Sequence, residues 1–160
     1  MPNICTAINL LLGVVALANM FDGNYNVSIV LILIAALIDR FDGIVARRYH
    51  AASTFGKEFD SLADLISFGV APGALMYCSV GGMWGIVALF LFGLFALCGG
   101  LRLARYNLSE NPSYFQGVPI TLAGSILVII IYFQPGSALI LVSSFLLALA
   151  MISNIRIPKI

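Results

Sequence analysis

Residues 27–80 read VSIVLILIAALIDRFDGIVARRYHAASTFGKEFDSLADLISFGVAPGALMYCSV: an apolar run, a polar middle that carries Asp39, Asp42, Asp60 and Asp64, and a second apolar run. An ionisable residue at membrane depth costs at least ~2.5 kcal/mol on insertion scales, so it faces a polar cavity and marks a functional site. Four such residues within 26 positions make this segment the place to look for function.

The flanks set the surroundings. With 61% hydrophobic and 9% charged residues and a mean hydropathy of +1.06, the composition is that of an integral membrane protein. The net charge of +1 decides nothing by itself, and no nucleic acid is expected as a partner. No pattern of basic leader, short apolar stretch and small-residue cleavage site is visible, so no cleavable signal peptide is expected.

Runs long enough to cross a bilayer fall at roughly 4–20, 27–47, 58–79, 84–106, 117–133 and 137–155. Turn residues separate them: Asp22-Gly23-Asn24, Gly81-Gly82, Asn111-Pro112-Ser113 and Pro135-Gly136-Ser137. Backbone groups in lipid must be satisfied within the segment, so these runs are read as helices. The expected fold is an all-α integral membrane protein, a single domain over residues 1–160 with six transmembrane helices.

Threading six spans puts the N-terminus, the 48–57 loop, the 107–116 loop and the C-terminus on one side. All eight cations (Arg40, Arg47, Arg48, Lys57, Arg102, Arg105, Arg156 and Lys159) fall in or near that half, which makes it cytoplasmic. Both termini and the acidic segment are therefore expected at the cytoplasmic face of the cell membrane. Trp84 sits where an interfacial aromatic anchor belongs on the opposite side.

Helical periodicity places Asp39 and Asp42 (i,i+3) on one face of the second helix and Asp60 and Asp64 (i,i+4) on one face of the third. The two helices are antiparallel, so the pairs face each other at similar depth. Nearby Arg40, Arg47 and Lys57 do not match four crowded carboxylates at close range. One or two hard divalent cations would resolve the repulsion. An all-oxygen donor set suits Mg²⁺, Mn²⁺ or Ca²⁺, and the lack of His or Cys beside it argues against zinc. His50, the single histidine, reads as a solvated or headgroup-level residue, and Cys5, Cys78 and Cys98, one per span, read as packing.

Gly43 and Ala46 clear room beside the carboxylates for a substrate, and Arg47 can fork onto phosphate oxygens. Small residues also serve close helix packing, which leaves Gly43 and Ala46 open between the two roles.

The pattern Asp39-x2-Asp42-Gly43-x2-Ala46-Arg47-x8-Gly56-x3-Asp60-x3-Asp64 resembles, without departure, the signature of the CDP-alcohol phosphotransferase family. Members are six-helix membrane enzymes that move a phosphoalcohol from a CDP-linked donor to an alcohol and release CMP. Further blocks resemble the phosphatidylserine synthase subfamily: residues 58–72 (EFDSLADLISFGVAP), 102–107 (RLARYN) and 115–119 (FQGVP), with Pro2-Asn3 and Thr6. One departure stands out. The last block of the subfamily reads Gly-Leu-Pro with another proline two positions on, where this chain has Val118 and Thr121.

The resemblance implies transfer of the phosphatidyl group of CDP-diacylglycerol (or CDP-archaeol) to L-serine, with two Mg²⁺ or Mn²⁺ ions. Asp39, Asp42 and Asp60 would hold one ion and Asp39, Asp60 and Asp64 the other, with Asp64 also the general base. It assigns the CDP-lipid to Pro2, Asn3, Ile4, Cys5, Thr6, Gly43, Ala46, Arg47, Ser53 and Gly56. Asn3, Thr6 and Ser53 can equally be helix caps. For a serine carboxylate the candidate clamps are Arg102 and Arg105, which could instead snorkel to the headgroups, and Glu58, Asn107 and Gln116 are weaker candidates. Arg156 and Lys159 suit anionic lipid. The family also implies a homodimer. Two alternatives remain: a sibling transferase acting on glycerol 3-phosphate or an inositol phosphate, and an ion transporter with intramembrane carboxylates.

Overall fold

Thr6, Asn9, Gly13, Ala16 and Met20 recur at alternating steps of three and four, and the chain coils into helix α1 (Pro2–Phe21) with that stripe buried. The computed structural model describes residues 2–49, 54–108, 114–134, 136–153 and 156–158. A tight turn at Gly23, where φ is +73°, leads into α2 (Tyr25–Tyr49), which lies along α1 in the most extensive helix pair of the fold. Ser28, Ile32 and Ala35 form the buried stripe of α2, and Asp39 is the next position along it.

The third apolar run is one continuous helical rod of 27 residues, Thr54–Val80, but it changes pitch midway. It comprises α3 (Thr54–Asp64), a π-helical stretch (Leu65–Val70) and α4 (Ala71–Val80). Pro72 has no amide to offer the carbonyl four residues back, and the wider hydrogen-bond pattern, seen in Ala71 N–H donating to Ile66 O, accommodates it. A short 3₁₀ turn (Gly82–Trp84) leads into α5 (Gly85–Leu108), followed by α6 (Ile120–Phe133) and α7 (Ser137–Ile152).

The π stretch is central, touching α1, α3, α4, α5 and α6. Two glycines let neighbours reach it. A Cβ at Gly13 would collide with Ser67, and one at Gly124 would meet the carbonyl and Cα of Phe68. Phe68, Leu75, Phe95, Leu127 and Val128 fill a single core between the helices. Many large apolar side chains face outward, among them Leu11, Ile86, Phe90 and Leu146, which suits a lipid solvent better than water.

The all-helical expectation holds apart from one ribbon. Strands β1 (Tyr114–Gln116) and β2 (Arg156–Pro158) pair antiparallel, with Phe115 opposite Ile157. The fifth and sixth expected spans are also shorter than expected: α6 begins at Ile120 and α7 ends at Ile152, at 14 and 16 residues. Among the described residues, three helical segments are long and apolar enough to cross a membrane, Ile4–Phe21, Thr54–Val80 and Gly85–Leu108.

Candidate active site

Asp60 and Asp64 lie one turn apart on α3, and the buried stripe of α2 delivers Asp39 to the same point. One carboxylate oxygen from each of the three lies within 4.8 Å of the others. That separation is about what two metal–oxygen bonds of ~2.0–2.6 Å span across a hard cation. Asp64 is buried, and Asp39 and Asp60 are half-buried. A divalent cation fits this oxygen-only trio.

Side chains around the trio fix it from three helices. Asn9 on α1 donates its Nδ2 to Asp64 Oδ1 at 3.2 Å, wholly inside the protein. Thr121 on α6 donates its Oγ1 to Asp39 Oδ2 at 3.2 Å. Arg102, 8% exposed on α5, is near enough for its charge to act on Asp64. Among the described residues, two buried polar atoms here have no hydrogen-bond partner: Asn9 Oδ1 and Arg102 Nε. A buried donor and a buried acceptor without partners are costly unless a ligand serves them.

The two arginines of the 102–107 block have different surroundings. Ala88, Leu91, Phe95 and Cys98 form the buried stripe of α5, and Arg102 follows on it. Arg105 is exposed at the helix end and donates to Ile152 O at 3.4 Å, a carbonyl at the C-terminus of α7. Glu58 and Asn107 bond each other. Asn107 Nδ2 donates to Glu58 Oε2 at 3.3 Å and to Ser61 Oγ at 3.0 Å, while Lys57 Nζ donates to Asn107 O at 3.1 Å and lies 5.7 Å from the Tyr106 ring centroid. These contacts clasp α3 to α5.

Thr6 is buried on α1 one turn before Asn9, Ile4 is exposed, Cys5 is half-buried and Gly56 lies in the first turn of α3. Asp42, Gly43, Ala46 and Arg47 fall on α2 beyond Asp39, but their side chains, like those of Pro2, Asn3 and Gln116, lie outside the described residues, as does Ser53 altogether. Neither Asn9 nor Thr121 is a site candidate on motif spacing, yet both touch the trio. For Asn9 the sequence does hold a signal, a polar residue on the buried stripe of an apolar helix.

Residues 1–155 match the family profile described as CDP-alcohol phosphatidyltransferase. The chain belongs to this family. It is 38% identical to the CDP-diacylglycerol–serine O-phosphatidyltransferase of Helicobacter pylori over 99% of this chain and 71% of the relative. Against the enzyme of that name from Bacillus subtilis the identity is 32%, over 98% of this chain and 89% of the relative. The archaetidylserine synthase of Methanothermobacter thermautotrophicus is 34% identical over all of this chain and 70% of its own length. Family membership and the clustered aspartates together make metal-dependent transfer the chemistry of the site.

Proposed function

We propose that this chain is a CDP-diacylglycerol–serine O-phosphatidyltransferase, transferring the phosphatidyl group of CDP-diacylglycerol (or the CDP-activated archaeal ether lipid) to L-serine and releasing CMP. The observation that carries the reading is the trio Asp39, Asp60 and Asp64 with buried Arg102 beside it, in a chain whose relatives of matching length bear serine-transferase names. The serine hydroxyl oxygen bonds to the lipid-bearing phosphorus, the anhydride bond breaks, CMP leaves with the bonding pair, and the hydroxyl proton passes to Asp64. Asn9 holds one oxygen of Asp64 and leaves the other for that proton. Arg102 takes the serine carboxylate, and its burial strengthens that pairing.

Mg²⁺ or Mn²⁺, two ions with Asp42 completing the ligand set, would hold the diphosphate and neutralise charge on the departing CMP. The donor's cytidine and phosphates are assigned to the stretch from Pro2 to Thr6, to Gly43, Ala46 and Arg47, and to Ser53 and Gly56. All six helical rods cross or enter the membrane as one domain, with both termini and the site toward the cytoplasm. The cations gathered at that end support this orientation. The working unit is a homodimer in lipid.

The test supplies purified protein with CDP-diacylglycerol and Mn²⁺ or Mg²⁺ and compares acceptors by CMP release. L-Serine is expected to support turnover. Turnover with glycerol 3-phosphate and none with serine would overturn the acceptor assignment, and ion flux without CMP release would overturn the enzyme class.

A further inference from the structure

The partnerless atoms beside Asp64 are of opposite kinds, an amide oxygen that can only accept and a guanidinium N–H that can only donate. The NH₂ of Asn9 faces Asp64, so its carbonyl oxygen points elsewhere. Asn9 is 1% exposed, so that oxygen is served only by a group that enters beside Asp64 and the half-buried Asp39 and Asp60.

We infer that Asn9 Oδ1 receives the ammonium of the acceptor amino acid, making Asn9 the residue that selects a 2-amino alcohol over a plain alcohol. The inference rests on the serine reading of the site. Geometry supports it. The oxygen and nitrogen of an amide are about 2.3 Å apart, which puts Oδ1 no more than about 5.5 Å from Asp64 Oδ1, given the 3.2 Å contact. In L-serine the hydroxyl and ammonium sit on adjacent carbons, about 3 Å apart when gauche. A hydroxyl bonded to the free oxygen of Asp64 therefore brings its own ammonium within reach of Asn9. Arg102 supplies the opposite charge for the carboxylate, so the three side chains match the three functional groups of a hydroxy amino acid.

A purely positioning role would have Asn9 hold Asp64 and nothing else, and kinetics separate the two. The experiment measures, for the full chain and for Asn9→Ala and Asn9→Ser, the KM of L-serine and the inhibition constant of 3-hydroxypropionate, which lacks only the ammonium. CDP-diacylglycerol binding reports folding. The expected result is a serine KM raised about ten- to a hundredfold, as loss of a hydrogen bond to a charged group implies, with the 3-hydroxypropionate constant changed less than about twofold. Equal weakening of both ligands, or a fall in kcat with both constants unchanged, would overturn the inference. Should Asn9→Ala fail to bind donor, Asn9→Ser decides by the same two constants. If the unmodified chain turned over glycerol 3-phosphate and not serine, the serine reading itself would fall, and Asn9 with it.

Discussion

Thr121 Oγ1 stands 3.2 Å from Asp39 Oδ2, tying α6 to the carboxylate that α2 contributes to the site. Groups one bond removed from a metal ligand orient it, and their loss costs metal affinity. Thr121→Val keeps the shape and removes the hydroxyl. It is expected to raise the Mn²⁺ or Mg²⁺ concentration for half-maximal CMP release about tenfold, while Thr121→Ser stays near the native value. Identical metal titrations for Val and native protein would show the bond to be incidental.

Asp64→Asn retains shape but cannot take a proton from the acceptor. Turnover is expected to fall by about a thousandfold or more, with CDP-diacylglycerol binding still measurable. Near-native turnover would remove Asp64 from the role of base. Chelation should act on the same step: EDTA is expected to stop CMP release and added Mn²⁺ or Mg²⁺ to restore it.

Arg102 and Arg105 should separate cleanly. Arg102→Gln is expected to raise the serine KM by more than about tenfold, since a charge-assisted bond is worth about 1.5–3 kcal/mol. Arg105→Gln, which loses a surface contact to Ile152 O, should leave that KM within about threefold. Asn107→Ala, which opens the clasp to Glu58 and Ser61, is expected to lower thermal stability in detergent without moving the serine KM. A reversed order for the two arginines would move the acceptor pocket outward.

Gly13 admits Ser67, whose hydroxyl donates to Asn9 O at 2.9 Å, and any Cβ there collides with Ser67 backbone and side chain. Gly13→Val is expected to destabilise by about 1–3 kcal/mol or more through overpacking, read as a lowered Tm. An unchanged Tm would mean that α1 can shift away from the π stretch at no cost.

Much of this architecture is legible in the sequence because period and charge speak plainly in an apolar chain. The helical runs, the turn at Asp22-Gly23-Asn24 and the approach of Asp39 to Asp60 and Asp64 all follow from helical spacing and a short connection. The ribbon of Tyr114–Gln116 with Arg156–Pro158 is not, since three-residue strands far apart in sequence leave no periodic trace. Nor can spacing separate Arg102 from Arg105, which are i,i+3 neighbours. Their difference comes from where α7 ends, a tertiary fact. Asn9 and Thr121 escape a motif because each acts through a partner, 55 and 82 positions away respectively.

The change of pitch at Leu65–Val70 gives the third rod a phase offset between its two ends. Each residue added to or taken from an α-helix turns the remainder of the rod by about 100°. Deleting one residue from this stretch would therefore swing the half bearing Leu75 and Met76 around relative to Asp60 and Asp64. The wide turn works as an angular coupling: it lets the acid-bearing half aim at α1 and α2 while the other half aims into the core, each set by its own neighbours.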